Sequence, residues 1–375
     1  MRALLPAVGG RPLAAIQGLL ELLIRRGLVD AVLVPLASTS GIVSPALVAD
    51  PELLRQADPL APVMGLNVAA VAGQVSTGAP RGRIAVVLRS CEMRALIELV
   101  KVRQADLSDL VTIGIDCAGT FAVPDYVAMT EQTHEEEWRA SLMGSLARAG
   151  HLTPPPGYVV RDACQMCEHP VATGTEMTIE LFGADITAAV PVSMPDEVGA
   201  ALGLAECGED DGRRAELISR IIQQRMSARD ERLNAVGERL ESEGIEGVLA
   251  ACVRCHNCMV ACPACYCRTC LFRSPTFEHE ALDYLNWAKR KGACRLPADT
   301  MMFHLTRLNH MALSCVGCGM CTAACPADLP VGAVFRAIGR HLQEVFGYEP
   351  GRDADEPLPL ITFREDEWMD VGEEQ

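Results

Sequence analysis

Cys315-Val316-Gly317-Cys318-Gly319-Met320-Cys321-Thr322-Ala323-Ala324-Cys325-Pro326 is the stretch on which the reading of this chain turns, because its C-x2-C-x2-C-x3-C-P spacing occurs twice. The earlier copy is Cys252, Cys255, Cys258 and Cys262, followed by Pro263. Three thiolates at spacing three wrap one face of a cubane cluster, while the fourth, at the start of a helix, points away and reaches a neighbouring cluster. Cross-ligation then predicts one 4Fe-4S cluster on Cys252, Cys255, Cys258 and Cys325, and another on Cys315, Cys318, Cys321 and Cys262. Gly317, Gly319, Ala261, Ala323 and Ala324 are small enough for backbone N–H groups to approach the sulfides and tune the potential. Structural zinc also accepts paired C-x2-C units, but four ligands complete a zinc site. That leaves the third spacing, the C-x3-C-P and the repetition unexplained.

This is the ligand run of bacterial-type two-cluster ferredoxins, with a longer gap between the copies. Glu278 to Lys291 and Pro297 to Leu313 read as two helices inserted between the cluster arms. The gap also holds Cys265, Cys267, Cys270 and Cys294, which either ligate a further metal centre or pack as free thiols. His304 and His310, six residues apart, do not share a helical face and read as surface or core histidines.

Of 17 cysteines in 375 residues, 12 fall between residues 252 and 325. Disulfides need an oxidising compartment, and Pro6 and Arg11 interrupt the apolar opening too early for a secretory signal. The expectation is a cytoplasmic protein with metal-bound thiolates. No uncharged apolar run approaches the ~18 residues of a membrane span. A net charge of −16 repels nucleic acid and anionic membrane surfaces.

Upstream, Pro12 opens a helix carrying Leu13, Ile16, Leu20, Leu23 and Ile24, capped near Gly27. Leu28 to Val34, Ile84 to Leu88 and Leu110 to Ile115 read as buried strands, and Glu92 to about Arg103 as a helix. Such alternation suggests a predominantly parallel sheet with helices packed on it. Thr178 to Phe182 and Ile186 to Val192 are further strand candidates. Arg213 to Glu243 reads as a linker helix with a stripe of Leu217, Ile221, Ile222, Leu233 and Leu240. After Tyr348 the chain turns acidic, either solvated or laid on a partner. Cys91 falls where a strand passes into a helix, and Cys117 just beyond the strand ending at Ile115. Both lie at strand carboxyl ends, where ligands gather on parallel sheets. With Cys164 and Cys167 they complete a third cluster, or else they are buried small hydrophobes. Cys207 reads as a bystander. Arg81, Arg83, Arg89 and Arg94 either hold a phosphate or face solvent.

Leu88-Arg89-Ser90-Cys91-Glu92-Met93-Arg94, Ile113-Gly114-Ile115-Asp116-Cys117, Cys164-Gln165-Met166-Cys167 and the two cysteine runs together resemble the beta subunits of deazaflavin (coenzyme F-420)-linked hydrogenases and formate dehydrogenases. The segments Ala251 to Cys270 and Cys315 to Pro350 resemble the formate dehydrogenase beta subunit especially. The resemblance implies an α+β or α/β fold: an N-terminal sheet-and-helix FAD and iron-sulfur module over 1–205, a helical linker over 206–247, a helical two-cluster ferredoxin-like module over 248–348 and an acidic tail over 349–375. It implies an oxidoreductase subunit that moves electrons between a flavin or hydride carrier and 4Fe-4S clusters, at flavin-binding residues it does not identify. The implied partners are a catalytic formate dehydrogenase or hydrogenase subunit and, beside it, a heterodisulfide reductase-like subunit; the alternative is a flavin-free wire linking two redox enzymes, such as one ending on a reductase-like partner of that kind. The carrier stays open between deazaflavin, nicotinamide and none. The chain departs from the family's glycine-rich Asp-Ile-x-Val-Gly-x-x-Gly stretch, where it has Met177 to Gly183 with Glu180 at a glycine position. It also lacks a G-x-G-x-x-G dinucleotide motif.

Overall fold

The computed structural model describes residues 1–38, 41–78, 82–131, 135–208, 212–267, 269–293 and 298–362. Its organising element is a mixed seven-stranded sheet in the order β1-β7-β6-β5-β4-β2-β3. The strands are β1 (Arg2–Pro6), β2 (Ala31–Ala37), β3 (Val43–Val48), β4 (Ile84–Arg89), β5 (Leu110–Ile115), β6 (Met177–Ile179) and β7 (Ala189–Ser193). The central run β2, β4, β5 and β6 is parallel, and β3, β7 and β1 add antiparallel edges.

Side-chain alternation divides the core into two layers. Val32, Val34, Ala85, Val87, Val111, Ile113 and Ile115 face helix α1 (Pro12–Arg25) and α5 (Glu135–Ala149). Leu33, Ile84, Val86 and Leu88 face α2 (Val68–Thr77) and α3 (Ser90–Lys101). Pro12 occupies the first turn of α1 and Gly27, at φ +66°, follows its end, as the sequence suggests. Gly114 leaves room for a crossing segment: a Cβ there would lie 2.7 Å from Thr175 Oγ1 and 2.9 Å from Ala172 Cβ.

Short helices α4 (Val123–Thr130), α6 (Asp162–Gln165) and α7 (Asp196–Leu202) lead to the long α8 (Arg213–Val248), which breaks at Gly244. Leu217, Ile221 and Leu233 of α8 are buried, and so are Arg225 and Arg229. Beyond it lie α9 (Asn257–Val260), α10 (Ala281–Lys291), α11 (Ala298–Met311), α12 (Met320–Ala323) and α13 (Val331–Val345). The inserted helices α10 and α11 stand where the sequence places them. Phe272, Phe303, Leu308, Met311, Leu329 and Phe335 form the core of this region.

The two halves share packing. Val316, inside the second cysteine run, is buried among the apolar residues of α2 and α3. Arg94 of α3 donates to the carbonyls of Val316 and Pro350. The start of the acidic tail is laid on the chain's own α3: Glu98 accepts from the Tyr348 hydroxyl at 2.6 Å and from Gly351 N at 2.8 Å, with Lys101 Nζ on the same hydroxyl. Residues 363–375 of that tail lie outside the described residues. No helix among the described residues is long and apolar enough to cross a membrane.

Candidate metal centres

The sheet edge assembles the first thiol set. Leu88 and Arg89 end β4, the chain turns directly into α3, and this places Cys91 in the first helical turn. Cys117 lies two residues beyond β5, and Cys164 and Cys167 come in on α6 and its following turn. All four line one cavity with Met64, Arg89, Thr120 and Arg225. Burial pushes the Cys117 thiol up to about 11, and it pushes Cys91 well above its ordinary value, helped by the charges of Glu92, Cys318, Cys117 and Cys167. At Cys164 burial acts in the same sense, but Arg161, Thr120 and Arg225 outweigh it and lower the thiol. Facing buried thiols resist ionisation unless a cation lies between them, and a metal group supplies that cation.

The surroundings of this set are densely hydrogen-bonded. Arg161 donates to Thr120 Oγ1 at 2.9 Å and to Cys164 Sγ at 3.7 Å, and Thr120 Oγ1 lies 3.4 Å from the same sulfur. Arg225 donates to the carbonyls of Cys117 and Cys167. Glu168, next to Cys167, pairs with Arg229 of α8 and Arg336 of α13. Asp116 is not a ligand-facing group: it accepts from the backbone of Leu181 and Phe182 and pairs with Arg214. Glu180 is similarly engaged, accepting from Ser193 Oγ at 2.6 Å and Arg2 Nε at 3.0 Å. The place where the family carries glycine is therefore filled by a buried structural network. Arg89 and Arg94 neither face solvent nor lie free for a phosphate; both are buried and donate to carbonyls. Arg83 is exposed, and Arg81 lies outside the described residues.

Cysteines of the two runs lie close to one another across the sequence. Cys252, Cys255, Cys258 and Cys325 line one cavity with His256, Phe303, His304 and Val331. Burial raises Cys252 and Cys258, and the charge of Cys325 adds to both. Burial also raises Cys262 against the opposing charge of Arg307, with Cys315 adding to the rise, while Cys318 is pushed up to about 12 by burial and then by Cys262 and Cys315. Cys321 lies well above its ordinary value through burial, Cys262, Cys318 and Cys315.

The runs also share a backbone form. Gly317 and Gly319 have φ of +71° and +70°; the corresponding residues of the first run, Arg254 and His256, both have φ of +59°. A non-glycine residue in this region costs roughly 1–2 kcal/mol, and such strain gathers at functional sites. The second run needs glycine for space as well. A Cβ on Gly319 would lie 2.2 Å from Ala163 Cβ, and one on Gly317 would lie 2.6 Å from an Arg336 guanidinium nitrogen.

Of the four thiols between the runs, three lie among the described residues. Burial pushes Cys265 up to about 11, with Cys262, Cys267 and Cys270 nearby; Cys267 is exposed, and Cys270 Sγ lies 3.7 Å from Met259 Sδ. Cys294 lies outside the described residues. Among the described residues, no three histidine, cysteine, aspartate or glutamate side chains converge to hold a single metal ion. His310 is exposed. His304 is a core residue, but its Nε2 lies 3.3 Å from Cys252 Sγ. Arg225 and Arg229 escape a sequence reading because α8 carries many arginines and only packing selects the buried ones. Arg161, just upstream of Cys164, gives no sequence signal beyond that proximity.

No protein-family model matches the chain. It is 25% identical over 307 residues to the F420-dependent formate dehydrogenase subunit beta of Methanocaldococcus jannaschii, covering 75% of this chain and 76% of that one. It is 26% identical over 384 aligned positions to the F420-dependent formate dehydrogenase 1 subunit beta of Methanococcus maripaludis, covering 92% of each. A chain of the xenon-derivatized F420-reducing NiFe hydrogenase complex from Methanosarcina barkeri matches with a TM-score of 0.44 at 12% identity, over 63% of this chain and 92% of that one. Over nearly its whole length, this chain is similar in sequence to the beta subunits of F420-dependent formate dehydrogenases.

Proposed function

We propose that the chain is an electron-transfer subunit of an oxidoreductase complex of the formate dehydrogenase or hydrogenase type, with three 4Fe-4S clusters in a row. The observation that carries this reading is the contiguity of the thiol sets. The sheet-edge cavity that holds Cys91, Cys117, Cys164 and Cys167 is also lined by Gly317 and Cys318 of the second run. Arg161 spans the same junction, from Cys164 to Met320 Sδ. Crossed ligation puts the cluster on Cys315, Cys318, Cys321 and Cys262 in the middle and the one on Cys252, Cys255, Cys258 and Cys325 at the end, where Cys255 is exposed. The thiol-only donor sets fit iron-sulfur clusters, and the sheet-edge and end sets, which line cavities without closing on a point, suit a cubane better than a zinc ion.

The resemblance also implies FAD. A groove of about 450 Å3 opens between the halves, within the range of small-molecule sites. Its walls include Met64, Ala163 and Met166 on one side and Gly319, Met320 and Gly332 on the other, with Arg161 and Arg336 supplying positive charge. These small and apolar residues suit a planar ring beside the middle cluster; a flavin there supplies the conversion between hydride and single-electron transfer. The chain's own contribution is to exclude water and to hold Cys164 and Cys318 on either side of the junction. The segments 1–205, 206–247 and 248–348 then correspond to flavin module, strut and cluster module. One observation favours a flavin-free wire toward a heterodisulfide reductase-like partner: the burial of Glu180 in its network with Arg2, Ser193 and Arg214.

The test is anaerobic purification with extraction of flavin, followed by addition of reduced deazaflavin coenzyme or reduced nicotinamide. The expected result is about one flavin per chain, with bleaching of the visible iron-sulfur absorbance by one carrier. Full iron content without flavin, and no bleaching by either carrier, leaves the wire reading.

A further inference from the structure

The helix inserted between the cysteine runs brings a cation to one thiol set. Arg307 of α11 is 4% exposed, and its guanidinium donates to Cys258 Sγ at 3.1 Å and to the Cys258 carbonyl at 3.0 Å. It lies over the rings of Phe335 and Phe303, 4.8 and 5.5 Å from their centroids. Among the described residues no carboxylate pairs with it, and its Nε has no hydrogen-bond partner. His304, one turn earlier on the same face, places Nε2 on Cys252 Sγ.

A buried guanidinium without a counterion is costly, because desolvation is not repaid by an ion pair. Here the hydrogen-bonded neighbour is a thiol, and a metal-bound thiolate supplies the missing negative charge. No cysteine of the second set receives a guanidinium hydrogen bond on sulfur among the described residues, although the charge of Arg307 acts on Cys262 and Cys321 and that of Arg161 on Cys318, so the hydrogen bond to Cys258 is what distinguishes the two sets. Hydrogen bonds to sulfur and nearby charge are what set the potential of an iron-sulfur cluster.

We propose that Arg307 is a positioning residue that raises the reduction potential of the cluster on Cys252, Cys255, Cys258 and Cys325 above that of its neighbour, making it the electron sink at the end of the row. With both clusters bound, the electron gained by the end cluster would be the one given up by the middle cluster, so that one negative charge would be added beside the Arg307 guanidinium. The fixed cation beside Cys258 stabilises that added charge. The inference rests on the reading of the eight run cysteines as cluster ligands.

Potentiometric titration of the anaerobically purified full chain, followed by electron paramagnetic resonance, tests it. Wild-type protein without two ferredoxin-type signals would overturn the ligand reading itself. With both signals present, Arg307→Gln is expected to lower one midpoint by about a tenfold change in the oxidised-to-reduced ratio, about 59 mV for one electron, and to move the other less. Arg307→Lys keeps the charge and is expected to stay within about threefold of wild type. An intact Arg307→Gln protein with unchanged midpoints overturns the proposal, and so does an Arg307→Lys midpoint that falls as far as that of Arg307→Gln. Should Arg307→Gln fail to hold its cluster, Arg307→Lys decides: a retained cluster near the wild-type midpoint supports the proposal, and a lost or lowered one rejects it.

Discussion

Cys325→Ala is expected to remove about four of the chain's iron atoms, one cubane's worth, from the cluster otherwise held by the first run. Cys325 belongs to the second run in sequence, yet it shares a cavity with Cys252, Cys255 and Cys258. Double variants separate crossed from uncrossed ligation, because sites acting as one unit do not add. Cys325→Ala with Cys252→Ala is expected to lose no more iron than either alone. Cys325→Ala with Cys315→Ala is expected to lose about eight iron atoms, two cubanes. The reverse pattern, measured as iron and acid-labile sulfide per chain, means that each run holds its own cluster. Retention of full iron by Cys325→Ala removes that residue from the ligand set.

Gly319→Ala is expected to impair the junction between the sheet-edge set and the middle cluster. Two effects act together at this residue. Its φ of +70° costs an L-residue roughly 1–2 kcal/mol. The new methyl would also meet Ala163 Cβ at 2.2 Å, and overpacking of this kind adds about 1–3 kcal/mol. The loop and α6 must separate, and α6 carries Cys164. The expected outcome is a lower unfolding midpoint in denaturant together with slower reduction of the middle cluster. Ala163→Gly in the same chain removes the overlap but not the backbone strain, so it should restore the reduction rate and only part of the stability. His256→Ala, at the matching place in the first run, should leave that rate nearly unchanged, since His256 already tolerates a φ of +59° and stacks on Phe303. Equal reduction rates in Gly319→Ala and wild type would mean that the close approach to Ala163 has no part in electron transfer.

The grouping of Cys325 with Cys252, Cys255 and Cys258 in one cavity was legible in the spacing of the two runs, because local geometry restricts how far apart in the chain clustered thiols lie. The strand ends before Cys91 and Cys117 were legible because β4 and β5 are mostly apolar and buried at every position, with both faces covered. Edge strands were harder to see. β3 contains Pro45 opposite Pro35 and buries only Val48 fully, and proline argues against a strand except at an edge. β1 reads from sequence only as a poor secretory opening; its place is set by pairing with β7, nearly two hundred residues away.

Buried charge was the least legible feature. Arg94, Arg225, Arg229 and Arg307 look like the solvated arginines around them until packing assigns each a carbonyl, a carboxylate or a sulfur. Glu180 signals a departure from the glycine-rich family stretch, but its reason lies in Arg2 and Ser193, which only the folded sheet brings beside it. The start of the tail was open between solvent and a partner. It is held instead by Glu98, a residue more than two hundred positions upstream.

The most direct test of the three-cluster row is iron and acid-labile sulfide analysis of the anaerobically purified chain, combined with electron paramagnetic resonance after reduction. The expected result is about twelve iron atoms per chain, four for each of three cubanes, with magnetic interaction between neighbouring clusters. About eight iron atoms per chain, with Cys91, Cys117, Cys164 and Cys167 open to alkylation in the native protein, would contradict it. A colourless protein holding zinc would contradict it entirely.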